Sequence, residues 1–305
     1  MVKTRVLRTL MLVLGRTNNH IFTVMKIQKI MLDGGFTCPN RDGRVGHGGC
    51  TFCLCESFNP DYCRRQSSIA AQMEAGKQFF KDKYPDMRYV AYFQAYSSTY
   101  APLDVLRQRY EEALSVKDVV GIVVATRPDC IDEQVIDLLV CIRNRGFSVA
   151  VELGCETFYD RTLSRVNRGH TSQQSIDAIH LCHKSAIPVT VHLMFGLPGE
   201  CREDILAEAK IINSLPICSL KIHQLQILHG TRMAMEWIDR QSDFIAFTLE
   251  SYVQLVADFV TLLRKDIHIE RYVSTAPKGM LVAPRFGVKQ SVVEGLIKDL
   301  IRQKC

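Results

Sequence analysis

Six apolar, largely β-branched runs recur along this chain, at residues 26–32, 89–94, 119–125, 147–153, 188–195 and 219–227. Amphipathic stretches at 68–81, 103–115, 133–145, 172–185 and 203–215 separate them. The apolar, β-branched runs read as strands, and the longer stretches carry a helical period. The pattern is that of βα units around a parallel sheet. A tail follows, with helical patterns near 248–264 and 291–302 and a short strand expected at 267–273. Parallel strands need crossovers packed on the sheet, so the loops at their carboxyl ends converge and carry the chemistry.

Those ends are polar. The first strand runs into a glycine-rich loop, Gly34-Gly35-Phe36-Thr37-Cys38 through Gly48-Gly49-Cys50-Thr51-Phe52-Cys53. The second ends in Gln94-Ala95-Tyr96-Ser97, the third in Thr126-Arg127-Pro128-Asp129 and the fourth in Glu152-Leu153-Gly154-Cys155-Glu156. The fifth carries His192 and continues into Gly196-Leu197-Pro198-Gly199, while the sixth sets Lys221 and His223 two residues apart on one face. Glu152 within an apolar strand requires a partner if it is buried. Each of the others has a plain reading beside a functional one: His192 as a satisfied core histidine or a catalytic one, Arg127 before proline as a residue leaving a strand or a site residue, and Gly196-Leu197-Pro198-Gly199 as a turn or part of a site.

Cys38, Cys50 and Cys53 can ligate three irons of a [4Fe–4S] cluster and leave the fourth iron open. A cluster used for electron transfer has four protein ligands, and an open metal position is a place for substrate. Structural zinc is the competing reading, because Cys50-Thr51-Phe52-Cys53 is a C-x2-C pair that His47, Cys38, Cys55 or Cys63 would complete. A zinc knuckle also wants a second close ligand pair, which is missing downstream. The function matching that alternative is a zinc-stabilised RNA-binding module.

At 305 residues and 47% hydrophobic content, the chain suffices for one large domain, and no linker or repeat divides it. Twelve scattered cysteines form no disulfide framework, and reduced thiols point to a cytoplasmic location. The net charge of +6 is too mild to establish nucleic-acid binding, although Arg41, Arg44, Arg64 and Arg65 near the cysteine loop permit an anionic partner. The run Leu10-Met11-Leu12-Val13-Leu14 is too short for a secretory signal. No stretch approaches the roughly 18 apolar residues of a membrane span.

The spacing C-x11-C-x2-C with Phe52 inside the final pair resembles the cluster loop of radical S-adenosylmethionine (SAM) enzymes, in the long-spaced variant of the YhcC/YtqA-like group. Further blocks are similar, in the same order, to those of the Elongator catalytic subunit's radical SAM domain. They are Thr126-Arg127-Pro128-Asp129, Val151-Glu152-Leu153-Gly154, Asn167-Arg168-Gly169-His170-Thr171, Gly196-Leu197-Pro198-Gly199, Leu220-Lys221-Ile222 and Gly230-Thr231. Similarity to the YhcC/YtqA-like group runs over residues 26–300. It takes in Phe93-Gln94-Ala95-Tyr96 and the tail segments Ser274-Thr275-Ala276-Pro277 and Leu281-Val282-Ala283-Pro284.

The resemblance implies an α/β fold, a partial (β/α)6 TIM-like barrel with a C-terminal α-rich extension. Residues 1–24 match poorly, 25–230 would form the core and 231–305 the extension packed on it. Cys38, Cys50 and Cys53 would hold the [4Fe–4S] cluster, and SAM would chelate its open iron and yield a 5′-deoxyadenosyl radical that abstracts hydrogen. Phe52 would pack beside adenine, Gln94, Ala95, Tyr96 and Ser97 would take the SAM amino group, and Gly196 and Leu197 would admit the adenine edge. Glu152 and Arg168 would contact the ribose and the SAM carboxylate. Arg127, His192 and Lys221, with His223, would face substrate as the catalytic set.

Two departures stand out. Many radical SAM enzymes carry Gly-Gly-Glu after the second strand, where this chain has Gln94-Ala95-Tyr96-Ser97, and Glu156 replaces a glutamine of relatives. The implied partners are a reducing electron donor such as flavodoxin or ferredoxin, and tRNA, whose wobble uridine would present its C5 side chain. Elongator's subunit has a following acetyltransferase domain for which 305 residues are expected to leave no room. A radical step on an existing uridine side chain is therefore expected, with a small metabolite or a protein residue as the alternative substrate.

Overall fold

A computed structural model describes residues 27–54, 59–65, 68–80 and 87–304. The expectations for residues 1–24 and Cys55, and the side chain of Arg65, lie outside these. The strands β1 (Ile27–Leu32), β2 (Arg88–Phe93), β3 (Val119–Thr126), β4 (Ser148–Glu156), β5 (Val189–Phe195) and β6 (Ser219–Gln224) lie side by side in chain order. Every neighbouring pair is parallel. Between them run α1 (Asp61–Arg65), α2 (Ile69–Phe80), α3 (Leu103–Leu114), α4 (Glu133–Asn144), α5 (Asp160–Arg165), α6 (Ser172–Lys184) and α7 (Arg202–Ser214). Four of these helices fall where periodicity puts them, and α7 begins one residue early. The short α1 and α5 lack the length to show a period.

Alternation along each strand creates two faces. One face, with Ile30, Leu32, Phe93, Val124, Val151, Leu153, Val191 and Phe195, is buried under the helices in the main core. The other is the inside of a curled, partial TIM-type barrel. There β2 and β3 contribute a small apolar patch of Val90, Tyr92, Val123 and Ala125. Across from it β4, β5 and β6 present Glu152, His192 and Lys221. Local caps fix the crossovers: Asp132 accepts from the Val135 N–H at 2.8 Å, and Thr171 with Gln174 forms a capping box on α6.

The sheet has seven strands, one more than expected. β8 (His268–Arg271), from the tail, pairs in parallel with β6, placing Ser219 opposite His268 and Lys221 opposite Arg271. A local pattern marks a strand but not its partner, so this closure was invisible in sequence. The predicted strand at 219–227 is also interrupted. After β6 the chain forms β7 (Ile227–Leu228), which pairs antiparallel with β9 (Leu281–Ala283). The remaining tail helices are α8 (Arg232–Asp239), α9 (Leu249–Thr261) and α10 (Gln290–Lys304). β4 runs beyond its expected end because its register shifts between Gly154 and Glu156, where Glu156 takes φ +68°.

Candidate active site

The cysteine loop is held by segments distant in sequence. Thr51 N–H donates to Val166 O at 3.0 Å, Met233 N–H to Thr51 O at 2.9 Å and Ser97 N–H to Thr37 O at 3.2 Å. Asn40, fully buried, donates to Asn167 O at 2.5 Å, and the Asn167 amide returns to Gly49 O at 2.8 Å. Gly49 has φ +75°, a conformation that would strain a side chain, directly before Cys50. The Asn167-Arg168-Gly169 segment thus serves as the loop's bracket.

Cys38, Cys50 and Cys53 line one open pocket at the carboxyl ends of the strands. Arg168 Nη1 lies 3.4 Å from Cys50 Sγ, and Arg41 Nη2 lies 3.5 Å from Cys53 Sγ. Burial pushes the Cys50 thiol up, and the Arg168 charge opposes that shift. Arg168 also donates from Nη2 to Gly154 O at 2.6 Å and pairs with Glu156 at 3.3 Å. Gly154 leaves the space for this, since a Cβ there would stand 2.7 Å from Arg168 Nη2.

The inner wall is a buried charge network centred on Glu152. Its carboxylate accepts from Lys29 at 2.8 Å, Lys221 at 2.5 Å and Tyr92 at 2.7 Å, and meets His192 Nε2 at 2.9 Å. Glu270 of β8 joins at 3.2 Å from Lys29 and 3.7 Å from Lys221. Burial disfavours the Glu152 charge, but Lys221 and Lys29 outweigh it and hold the carboxyl well below its usual range. Burial moves Lys221 down to about 8 and keeps His192 and His223 neutral at pH 7. The rings of His192 and His223 lie 5.3 Å apart.

Among the residues singled out from sequence, Phe52, Gln94, Tyr96, Ser97, Arg127, Glu152, Arg168 and His192 line the same pocket as the cysteines. Ala95, Gly196, Leu197 and Lys221 do not. Gly196 packs near Phe247, Leu197 lies in an apolar cluster with Val166 and Met233, and Lys221 stands behind Glu152. Sequence reasoning missed Lys29, Tyr92, Glu270 and Arg271. Lys29 was findable, since a lysine within an apolar strand raises the same question as Glu152.

The Radical SAM superfamily profile matches residues 40–212, and the radical SAM C-terminal domain profile matches residues 217–302. The chain belongs to the radical SAM superfamily. It is therefore an enzyme whose cofactors are a [4Fe–4S] cluster and SAM. It is 36% identical over 279 residues to protein YtqA of Bacillus subtilis, covering 92% of this chain and 86% of that one. It is 25% identical to the tRNA uridine(34) acetyltransferase of Methanocaldococcus infernus, over 66% of this chain and 38% of that one. Its fold matches an Elp3 structure from Methanocaldococcus infernus with an N-terminal deletion. There the TM-score is 0.70 at 17% identity, over 92% of this chain and 64% of that one.

The pocket's chemistry fits these radical SAM cofactors. Mononuclear zinc needs its donors around one centre at about 2.3 Å, whereas each thiolate of a cluster binds its own iron. Among the described residues no three His, Cys, Asp or Glu side chains gather as a single-ion site. His47 is exposed, and Cys63 is turned to Met31 O at 3.4 Å away from the pocket. On the pocket wall, the buried atoms Arg127 Nη1, Arg168 Nε and His223 Nε2 have no hydrogen-bond partner among the described residues. Orphaned donors of this kind belong with a polar ligand. Among the described residues no helix is long and apolar enough to cross a membrane.

Proposed function

We propose that this enzyme cleaves SAM reductively and abstracts a hydrogen atom from the C5 side chain of a tRNA wobble uridine seated in the pocket. The observation that carries the radical step is the convergence of Cys38, Cys50 and Cys53 with the unpartnered donors of Arg127 and Arg168 on one wall. Support for tRNA comes from the likeness to the tRNA uridine(34) acetyltransferase across two thirds of this chain.

Cys38, Cys50 and Cys53 would hold the cluster, with Arg168 and Arg41 offsetting thiolate charge at Cys50 and Cys53. When bound, the cluster supplies the electron that splits SAM into methionine and the 5′-deoxyadenosyl radical. Arg168 Nε is available to the SAM carboxylate, and Gln94, Tyr96 and Ser97 lie where its amino group would need acceptors. Phe52 offers an apolar face to adenine. Glu152 meets four side chains of its own sheet, three at Oε2 and Lys29 at Oε1, so its main role is to hold the inner wall in place. Lys221 acts through it, leaving Arg127, His192 and His223 to face substrate.

Arg44 and Arg64 are exposed near the loop and suit phosphates or an acidic electron donor such as flavodoxin or ferredoxin. Ten free cysteines among the described residues favour a reducing, cytoplasmic setting. The test is anaerobic: reduced, reconstituted enzyme with SAM should form 5′-deoxyadenosine. Nucleoside digests of tRNA from cells lacking the protein should then show a changed wobble uridine. Unchanged digests alongside active SAM cleavage would refute the tRNA substrate.

A further inference from the structure

Among the described residues, charges around the pocket pair off with one exception. Lys29 and Lys221 face Glu152 and Glu270, Arg127 pairs with Asp129 at 2.8 Å, and Arg168 pairs with Glu156. Arg41 lies against the Cys53 thiol. Arg271, at the end of β8, lines the pocket, yet no carboxylate among the described residues forms an ion pair with it. Its charge is felt by His223, Tyr92 and Lys221, which places it over the inner wall.

His223 beside it can donate in one of its two tautomers. Its Nδ1 lies 2.7 Å from Ser274 Oγ. Ser274 is clamped by Gln224, which accepts from its N–H at 2.9 Å and donates to its carbonyl at 2.8 Å, and by Gln226 at 3.1 Å. With the Ser274 hydroxyl donating to Nδ1, the proton of the neutral ring sits on Nε2, which is buried and has no partner among the described residues. One unpaired guanidinium and one unpaired neutral N–H on the same wall match a group with a single negative charge and two acceptor oxygens.

We propose that Arg271 and His223 Nε2–H bind a carboxylate carried by the substrate. This rests on the reading of the pocket as the substrate chamber of the radical reaction. The carboxylate belongs either to a free small acid or to a carboxylated uridine side chain, and it fixes which carbon faces the cysteine loop. Ser274 is a positioning residue, acting through the tautomer of His223.

The test titrates ¹³C-acetate, with neutral acetamide as control, into reconstituted, SAM-loaded enzyme and follows NMR line broadening. Saturable acetate binding is expected, weakened about 10- to 100-fold in Arg271→Gln, less in Arg271→Lys, and less again in His223→Gln. SAM affinity, measured in parallel, should change far less than acetate affinity. Equal binding of acetamide, or acetate binding indifferent to Arg271→Gln, overturns the proposal. Loss of SAM and acetate in step also overturns it, by assigning Arg271 to SAM's own carboxylate. Acetate binding through Arg271 in an enzyme that forms no 5′-deoxyadenosine would refute the radical reading alone. Finally, extracts and tRNA from cells lacking the protein are incubated with enzyme and SAM and compared by mass spectrometry. A consumed free acid or carboxylated nucleoside supports the proposal and names the source, and a consumed compound without an anionic group overturns it.

Discussion

Glu152→Gln separates a structural role from a SAM-binding one. Glu152 is 1% exposed, and its carboxylate already serves Lys29, Lys221, Tyr92 and His192. An amide keeps the shape, removes the charge and turns N–H donors toward ammonium groups. Glu270 remains 3.2 Å from Lys29 and 3.7 Å from Lys221, so one lysine of the two keeps a counter-ion. Breaking one buried pair in this way costs about 3–5 kcal/mol. With an unfolding entropy of about 2.1 cal/mol/K per residue, that corresponds to roughly 5–8 °C in Tm for a chain of 305 residues. Thermal unfolding followed by circular dichroism reads it directly. The pH dependence has a definite sign. Because Glu152 is held well below its usual value, its stabilisation is present above about pH 4.5 and fades as pH falls through the folded-state value. The gap between parent and variant should therefore narrow in acid. Adding Lys221→Met should cost less than the sum of the single changes, since the second removes the charge stranded by the first. A ribose contact predicts the opposite pattern: Tm unchanged and SAM affinity weakened about 10-fold or more by loss of a charged hydrogen bond. That result would refute the network argument.

Outside the pocket, Glu200 and Glu208 both approach the single hydroxyl of Thr157, at 2.8 and 2.7 Å, and burial raises them to about 7 and about 8. Raised carboxyls stabilise below about pH 4.5 and lose that contribution as pH rises through 7 to 8. Stability should thus fall by roughly 4 kcal/mol between pH 6 and 8.5, and Glu208→Gln should flatten the slope in denaturant titrations. Replacing Cys38, Cys50 or Cys53 by Ala should abolish the broad charge-transfer absorption of reconstituted protein, whereas Cys63→Ala should retain it; iron and sulfide analysis of each variant checks this. If tRNA binds, its affinity should fall steeply with salt. Removing the charges of Arg44 and Arg64 should lower that slope by about one unit for each phosphate no longer neutralised, measured by filter binding.

The strands and the longer helices were legible because each is a local pattern: a continuous apolar run sets a strand, and a 3.6-residue period sets the helix that returns over it. The cysteine loop was equally legible, since Cys38, Cys50 and Cys53 lie close in sequence and their spacing is itself the chemical signal. Glu152 was visible as a carboxylate within an apolar strand and Arg168 through the family resemblance, but their partners were not. The sequence contains nothing that tells Glu152 to meet Lys29, 123 residues away, or Arg168 to lie against Cys50 from 118 residues away. Arg271 shows the limit most sharply, because it reads as one charge in a short tail strand until β8 pairs with β6 and brings it to the pocket. Local propensity acts over a few residues, so the sequence by itself determined which segments become strands, helices and metal-binding loop. Pairing across the sheet decides which strand ends become neighbours, and only the tertiary structure could turn scattered lysines, glutamates and histidines into one balanced wall with Arg271 left facing the pocket.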